Sequence, residues 1–327
     1  MSSMSPTRAR EFWADTFRLF ELAATKKDND ALALAMEIAE RFPEQAAESS
    51  YLLACTQNRA GRAEQALRTL EAALDRGSCW QESLLLWSPS LKSLQNRPRF
   101  HEVLARSKTM MDALEAGTRV SVAMFPPQTV EGADAPPLLL PLHGGADIPG
   151  AHDAYWAAAA ELGVLVAVPR SSQRRTSDTF WWGAPHEPFD RERSEPDVQA
   201  AYDEVGATYA FDIARVLLGG FSQGAVLAVS LALENRPFPV HGFACVGPGI
   251  EDLESLRPLM EPAAARGLRG WMLAGERERG LGLITRLNQE LTSHGVACRL
   301  DVVPGIGHEF PDDFGGRLHS GLHFVFG

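Results

Sequence analysis

The chain has 327 residues, a formal net charge of -11, and 45% hydrophobic against 22% charged residues. That balance describes a globular chain with room for one large domain or two smaller ones. The acidity and the lack of a Lys/Arg block argue against nucleic acid as a partner, and no apolar run reaches the roughly 20 residues that span a bilayer. The opening stretch, MSSMSPTRAREFWADTF, has no apolar core of a secretory signal, so the expected location is cytoplasmic.

Residues 8 to about 116 read as all-helical, because Ala, Leu, Glu, Arg and Gln dominate and apolar residues recur at helical spacing. In AGRAEQALRTLEAAL, Ala66 and Ala73 follow Gly61 at offsets of five and twelve, and 34 residues earlier stand Lys27, Leu32 and Ala39. A period of 34 with small residues at these offsets resembles the tetratricopeptide repeat, whose small residues let paired helices approach closely. Pro43 reads as a helix stop, and WSPSLKSLQNRPRFHEVL as a turn and a helix, a degenerate third unit or cap. The expectation is a helical region over 1–117, which either offers a groove to a peptide or protein or packs as a cap.

From residue 118 to 327 strands alternate with helices. Strand-like runs cover Arg119–Phe125, Pro137–Leu142, Val164–Val168, Arg215–Gly220, Val240–Val246, Leu268–Leu273 and Ala297–Val303. Several are continuously apolar, as expected where both faces of a parallel sheet are covered. Helical stretches cover His152–Leu162, Gln223–Glu234, Asp252–Arg266 and Gly282–His294. The alternation predicts an α/β domain with a mostly parallel sheet. Ser171–Glu195 is too long for a simple connection and reads as a functional excursion. Its Trp181 and Trp182 are candidates to wall an apolar acyl pocket or to pack the excursion. Arg170, Arg174 and Arg175 are candidates for an anionic substrate group or for a solvated face. Cys55, Cys79, Cys245 and Cys298 form no C-x-x-C pair and suit a reducing compartment.

The chemistry concentrates in Gly220-Phe221-Ser222-Gln223-Gly224, a G-x-S-x-G pattern behind the apolar strand residues Val216-Leu217-Leu218 and ahead of an Ala/Leu/Val-rich helix. A nucleophile on so sharp a strand-to-helix turn needs glycine two residues to either side, where a side chain would collide. A serine hydroxyl needs a base. His308 follows the last strand-like run in the loop PGIGHEFP, where Gly305 and Gly307 give freedom to present an imidazole. The orienting acid is expected after Leu268–Leu273, in Ala274-Gly275-Glu276-Arg277-Glu278-Arg279; Glu278 is the first candidate and Glu276 the second. Candidate oxyanion donors are the amides of Gly145, in the turn His143-Gly144-Gly145, and of Gln223. His319 and His323 have the spacing of helical metal ligands but lack the Glu of H-E-x-x-H, and no nucleotide motif occurs, so neither metal nor cofactor is expected.

LLLPLHGG, GGFSQGAVLAVSLAL, LAGERE and PGIGHEFP together resemble the bacterial phospholipase/carboxylesterase group of α/β hydrolases, over residues 118–327. The resemblance implies the α/β-hydrolase fold and hydrolysis of short-chain carboxylic esters, in some members of lysophospholipids or acyl thioesters. It implies Ser222, Glu278 and His308 as a triad with Gly145 and Gln223 at the oxyanion. This chain departs from the group in carrying Glu where Asp is usual and in having a helical region ahead of the hydrolase domain. The expected function is a serine hydrolase acting on a small-molecule ester. Two rivals stand beside it: a serine peptidase using the same triad, and a helical scaffold with a retired hydrolase domain.

Overall fold

A computed structural model describes residues 4–127, 135–183, 191–250 and 252–327. They divide into two compact units. The first comprises Met1–Arg119 together with Ala146–Ala151 and Ser172–Ala184, and the second comprises Val120–Gly145, His152–Ser171 and Pro185–Gly327.

The first unit is helical: α1 (Pro6–Ala24), α2 (Asp28–Arg41), α3 (Ala46–Arg59), α4 (Ala63–Asp75), α5 (Glu82–Trp87) and α6 (Pro98–Gly117). Each long helix buries one stripe. In α4 the stripe is Ala66, Leu67, Leu70, Ala73 and Leu74, spaced to share a face. Gly61, one of the small repeat residues, is not inside a helix. It lies in the turn between α3 and α4 at φ +76°, so glycine is there for backbone conformation and not for close helix approach. Ala66 and Ala73 are fully buried.

Residues 172–183 of the supposed excursion belong to this helical unit, held by long-range bonds. The Ala47 amide donates to Asp178 Oδ2 at 2.7 Å, the Gln81 amide to the Arg175 carbonyl at 2.9 Å, and the Ser177 amide to the Cys79 carbonyl at 2.9 Å. Arg175 Nη1 lies 3.0 Å from the buried Glu48, and Arg174 donates to the Ser177 carbonyl and to Thr118 Oγ1. These two arginines are engaged in holding the segment. Residues 184–190 of the same stretch lie outside the described residues, and a helix has begun by residue 191.

The second unit is built on seven strands: β1 (Ser121–Phe125), β2 (Leu138–Leu142), β3 (Leu165–Arg170), β4 (Val216–Phe221), β5 (Gly242–Val246), β6 (Arg269–Gly275) and β7 (Ala297–Val303). Their order is β1-β3-β2-β4-β5-β6-β7, with β1 antiparallel to β3 and every other pair parallel. The inner strands β2, β4 and β5 are buried along their whole length, which explains why they read as unbroken apolar runs. The helices are α7 (Asp153–Ala157), α8 (Arg191–Thr208), α9 (Gln223–Glu234), α10 (Arg257–Ala265), α11 (Leu281–Ser293) and α12 (Phe314–Phe326). The stretch read as one helix over His152–Leu162 divides into α7 and a 3-10 turn, Ala158–Leu162.

Parallel register decides where the chemistry sits. Leu142 pairs with Gly220, Phe221 with Val246, Val246 with Leu273, and Gly275 with Val303. The carboxyl ends of β2, β4, β5, β6 and β7 are therefore level. The turns that follow them, holding His143–Gly145, Ser222, Gly247, Glu278 and His308, open on one edge of the sheet.

Candidate active site

β4 ends at Phe221 and α9 begins at Gln223, so Ser222 alone makes the turn from strand to helix. Its backbone takes φ 53° and ψ -117°, a region a non-glycine residue rarely adopts. The flanking glycines show why the turn closes so tightly. A Cβ at Gly220 would stand 2.5 Å from the Gly224 carbonyl carbon. A Cβ at Gly224 would overlap the carbonyls of Leu142 and His143 at the end of β2. The turn is tied down by the Ser222 amide, which donates to the Val246 carbonyl at 2.9 Å.

His308 and Glu278 meet beside it. Nδ1 of His308 lies 2.7 Å from Glu278 Oε1, with Glu278 buried and the imidazole partly exposed. The next residue after Val246 is Gly247, at φ +64°. A Cβ there would stand 2.7 Å from His308 Cε1, 2.9 Å from Nδ1 and 3.0 Å from Glu278 Oε1. The imidazole thus fills the space a side chain would occupy. Its face rests on Phe221, the residue before Ser222, with ring centroids 4.8 Å apart. Phe221 in turn meets Phe310 at 4.9 Å and His152 at 5.2 Å.

Glu276, the second candidate acid, has a different partner. Its Oε2 accepts from the Gly305 amide at 3.0 Å, and the Arg277 amide donates to the Ile306 carbonyl at 2.9 Å. These bonds fasten the loop after β6 to the loop carrying His308. Gly305 takes φ +75°, so it serves a fixed turn in a tethered loop.

The turn after β2 comes over Ser222. A side chain at Gly144 would come within 3.6 Å of Ser222 Cβ, and one at Gly145 within 3.8 Å of Gln223 Cβ. Gln223 is the first residue of α9, where a helix amide has no intrahelical carbonyl to meet. Gly145 and Gln223, the candidate oxyanion donors, are therefore neighbours of Ser222. Trp181 and Trp182 belong to the helical unit and are buried, and the Trp181 amide donates to the Gln173 carbonyl.

Sequence reasoning missed Gly247, Phe221 and His143. The Gly247 signal was a glycine directly after an apolar strand, in Val246-Gly247-Pro248. The His143 signal was its place immediately before two glycines.

No family model matches the chain, and no curated protein matches it in sequence. Solved structures do. An uncharacterized protein from Bacillus cereus ATCC 10987 aligns over 96% of this chain and 99% of its own, at 20% identity and a TM-score of 0.54. Esterase PE8 aligns over 62% of this chain and 97% of its own, at 20% identity and TM-score 0.48. The Zea mays acyl-protein thioesterase 2 aligns over 64% and 100%, at 16% identity and TM-score 0.49. At these identities the likeness is one of fold. The mostly parallel seven-stranded sheet is that of the α/β-hydrolase fold, preceded by an all-helical region.

Proposed function

We propose that this chain is a serine hydrolase that cleaves carboxylic esters through an acyl-serine intermediate. The observation that carries the reading is the backbone of Ser222, held at φ 53° between two glycines that no side chain could replace. So strained a conformation persists where function requires the side chain to be presented.

In this mechanism His308 takes the Ser222 hydroxyl proton as Oγ attacks the ester carbonyl. Glu278 holds Nδ1 of His308 and balances the imidazolium charge. The amides of Gly145 and Gln223 receive the oxyanion, each worth about 3 kcal/mol in the transition state. His308 returns the proton to the departing alkoxide, and the alcohol leaves. Water then attacks the acyl-serine, gives its proton to His308, and His308 passes that proton to Ser222 Oγ as the acid departs.

The test is hydrolysis of p-nitrophenyl esters of rising acyl length by the native chain and by Ser222→Ala. Activity lost in the variant supports the reading. Cleavage of aminoacyl p-nitroanilides alone would move it to a peptidase, and no turnover in a folded protein would leave a binding role.

For the helical unit we propose tetratricopeptide-like hairpins that contact a peptide or protein. A groove of about 700 Å³ among α2, α3 and α4 supports this, with Leu53, Gln57, Arg68, Thr69, Ala72 and Arg76 among its lining residues. Retention of a binding partner by Ser222→Ala, and its loss in Arg68→Glu with Arg76→Glu, is the expected result. The proposed location is cytoplasmic, in keeping with four free cysteines.

A further inference from the structure

The oxyanion side of the site depends on one peptide, Gly144–Gly145, between the two residues with the widest backbone freedom. A trans peptide is planar, so its carbonyl and its N–H point to opposite sides. Whatever fixes the Gly144 oxygen therefore fixes the direction of the Gly145 N–H. If this peptide turned over, a carbonyl dipole would replace the donor and repel the developing negative charge.

His143 is placed to prevent that. Its Nδ1 lies 2.9 Å from the Gly144 oxygen, and its Nε2 lies 3.2 Å from the Ser171 amide nitrogen. An amide only donates, so Nε2 is the acceptor. The ring proton is therefore on Nδ1, from which it donates to Gly144 O. The imidazole is buried, and its two anchors come from neighbouring strands: His143 follows β2, and Ser171 follows β3. A bond from the end of β3 thus sets the tautomer that holds the peptide at the end of β2. Gly145 itself is exposed, and among the described residues no acceptor takes its N–H. A donor is left open beside Ser222 and Gln223.

We propose that His143 is a positioning residue whose Nδ1–H holds the Gly144–Gly145 peptide in the orientation that turns the Gly145 N–H toward the oxyanion formed at Ser222. The proposal rests on the serine-hydrolase reading. It assigns His143 no proton transfer and no contact with substrate.

The test compares His143→Ala, His143→Asn and His143→Gln in the full chain. Steady-state hydrolysis of p-nitrophenyl butyrate is measured beside inhibition by an alkyl trifluoromethyl ketone, which forms a tetrahedral oxyanion on serine. His143→Ala is expected to lower kcat about 100-fold with KM within about twofold, because this contact strengthens only as the oxyanion forms. The ketone should weaken by the same factor. An Asn side-chain amide can stand where Nδ1 stands and should recover about tenfold over Ala. Gln, which reaches toward the Nε2 position, should not. The Asn and Gln variants also carry the comparison if Ala fails to fold. Native kcat in His143→Ala, a loss confined to KM, or equal rates for Asn and Gln would overturn the proposal. Absence of any hydrolysis by the native chain would instead sink the hydrolase reading, and this proposal with it.

Discussion

Nδ1 of His308 lies 2.7 Å from Glu278 Oε1, while Glu276, two residues earlier, gives its carboxylate to the Gly305 amide at 3.0 Å. One carboxylate meets the imidazole and the other ties a loop, so the two should separate kinetically. Glu278→Gln is expected to lower kcat/KM on p-nitrophenyl butyrate by about 10³ to 10⁴, since an amide neither enforces the tautomer nor balances the imidazolium. Glu276→Gln keeps a carbonyl oxygen able to accept from the Gly305 amide and loses only the charge assistance of that bond, about 1 kcal/mol, and should stay within about tenfold of native. Comparable losses in both variants would reassign the acid.

Ser222 stands in a strained backbone region, and stability measurements can reveal it. A non-glycine residue at φ 53° stores on the order of 1–3 kcal/mol. Ser222→Ala keeps a Cβ and therefore the strain. Ser222→Gly releases it, and loses less than about 1 kcal/mol through the added freedom of the unfolded chain. Both variants should be inactive, but Ser222→Gly should unfold at the higher urea concentration, by about 1 kcal/mol. A midpoint for Ser222→Ala equal to or above that for Ser222→Gly would show that the turn is not strained.

The sheet and the tight turn at Ser222 were legible because each leaves a local mark. Buried parallel strands such as Leu138–Leu142 are continuous apolar runs, and the turn at Ser222 has room only for glycine at 220 and 224. Spacing past Gly275 ranked Glu278 ahead of Glu276, but which carboxylate faces a loop about thirty residues away could be seen only in the fold. The contacts of Arg174 and Arg175 were hidden for the same reason. Their partners Thr118 and Glu48 lie far back in the sequence, and a pinned arginine looks like a free one until the chain folds. His143 hid its role in a tautomer, which depends on the Ser171 amide in the next strand's turn.

Gly247 and Gly305 both take positive φ, 64° and 75°. Alanine at either should cost about 1 kcal/mol of stability for its Cβ in the left-handed region. Their surroundings differ. Nothing lies within 4 Å of a Cβ at Gly305, whereas one at Gly247 stands 2.7 Å from His308 Cε1. Gly247→Ala must push the imidazole aside, and displacement of a reacting group by about 1 Å costs on the order of 100-fold. Gly305→Ala is expected to keep near-native kcat after correction for the folded fraction. Equal activity losses would mean that the His308 loop, and not the bare Cα of Gly247, positions the ring.

Glu48 gives the helical unit a pH dependence of its own. The carboxyl is buried, 3.0 Å from Arg175 Nη1 and 3.3 Å from Thr179 Oγ1. Burial pushes its pKa above the ordinary carboxyl value of 4.5, although Arg175 pulls it back. The folded chain therefore holds a proton that the unfolded chain has already released, and unfolding free energy falls as pH rises past 4.5. Asp178, also pushed up by burial, adds to that fall. Glu44 and Glu71 have lowered values and Arg partners, so their contributions are complete above 4.5 and are lost only on acidification. His241, pushed below 6.5 by burial, contributes a rise with pH in the sheet unit. The informative quantity is therefore the difference between the native chain and Glu48→Gln, in which the other groups cancel. That difference should move against the native chain from pH 4.5 upward in urea unfolding. Arg175→Ala, which leaves Glu48 buried with Thr179 Oγ1 as its remaining hydrogen-bond partner among the described residues, should destabilise the chain more at neutral pH than near pH 4.5, where the carboxyl is more often protonated. Native and Glu48→Gln curves that run parallel across this range would mean that Glu48 does not change protonation on folding.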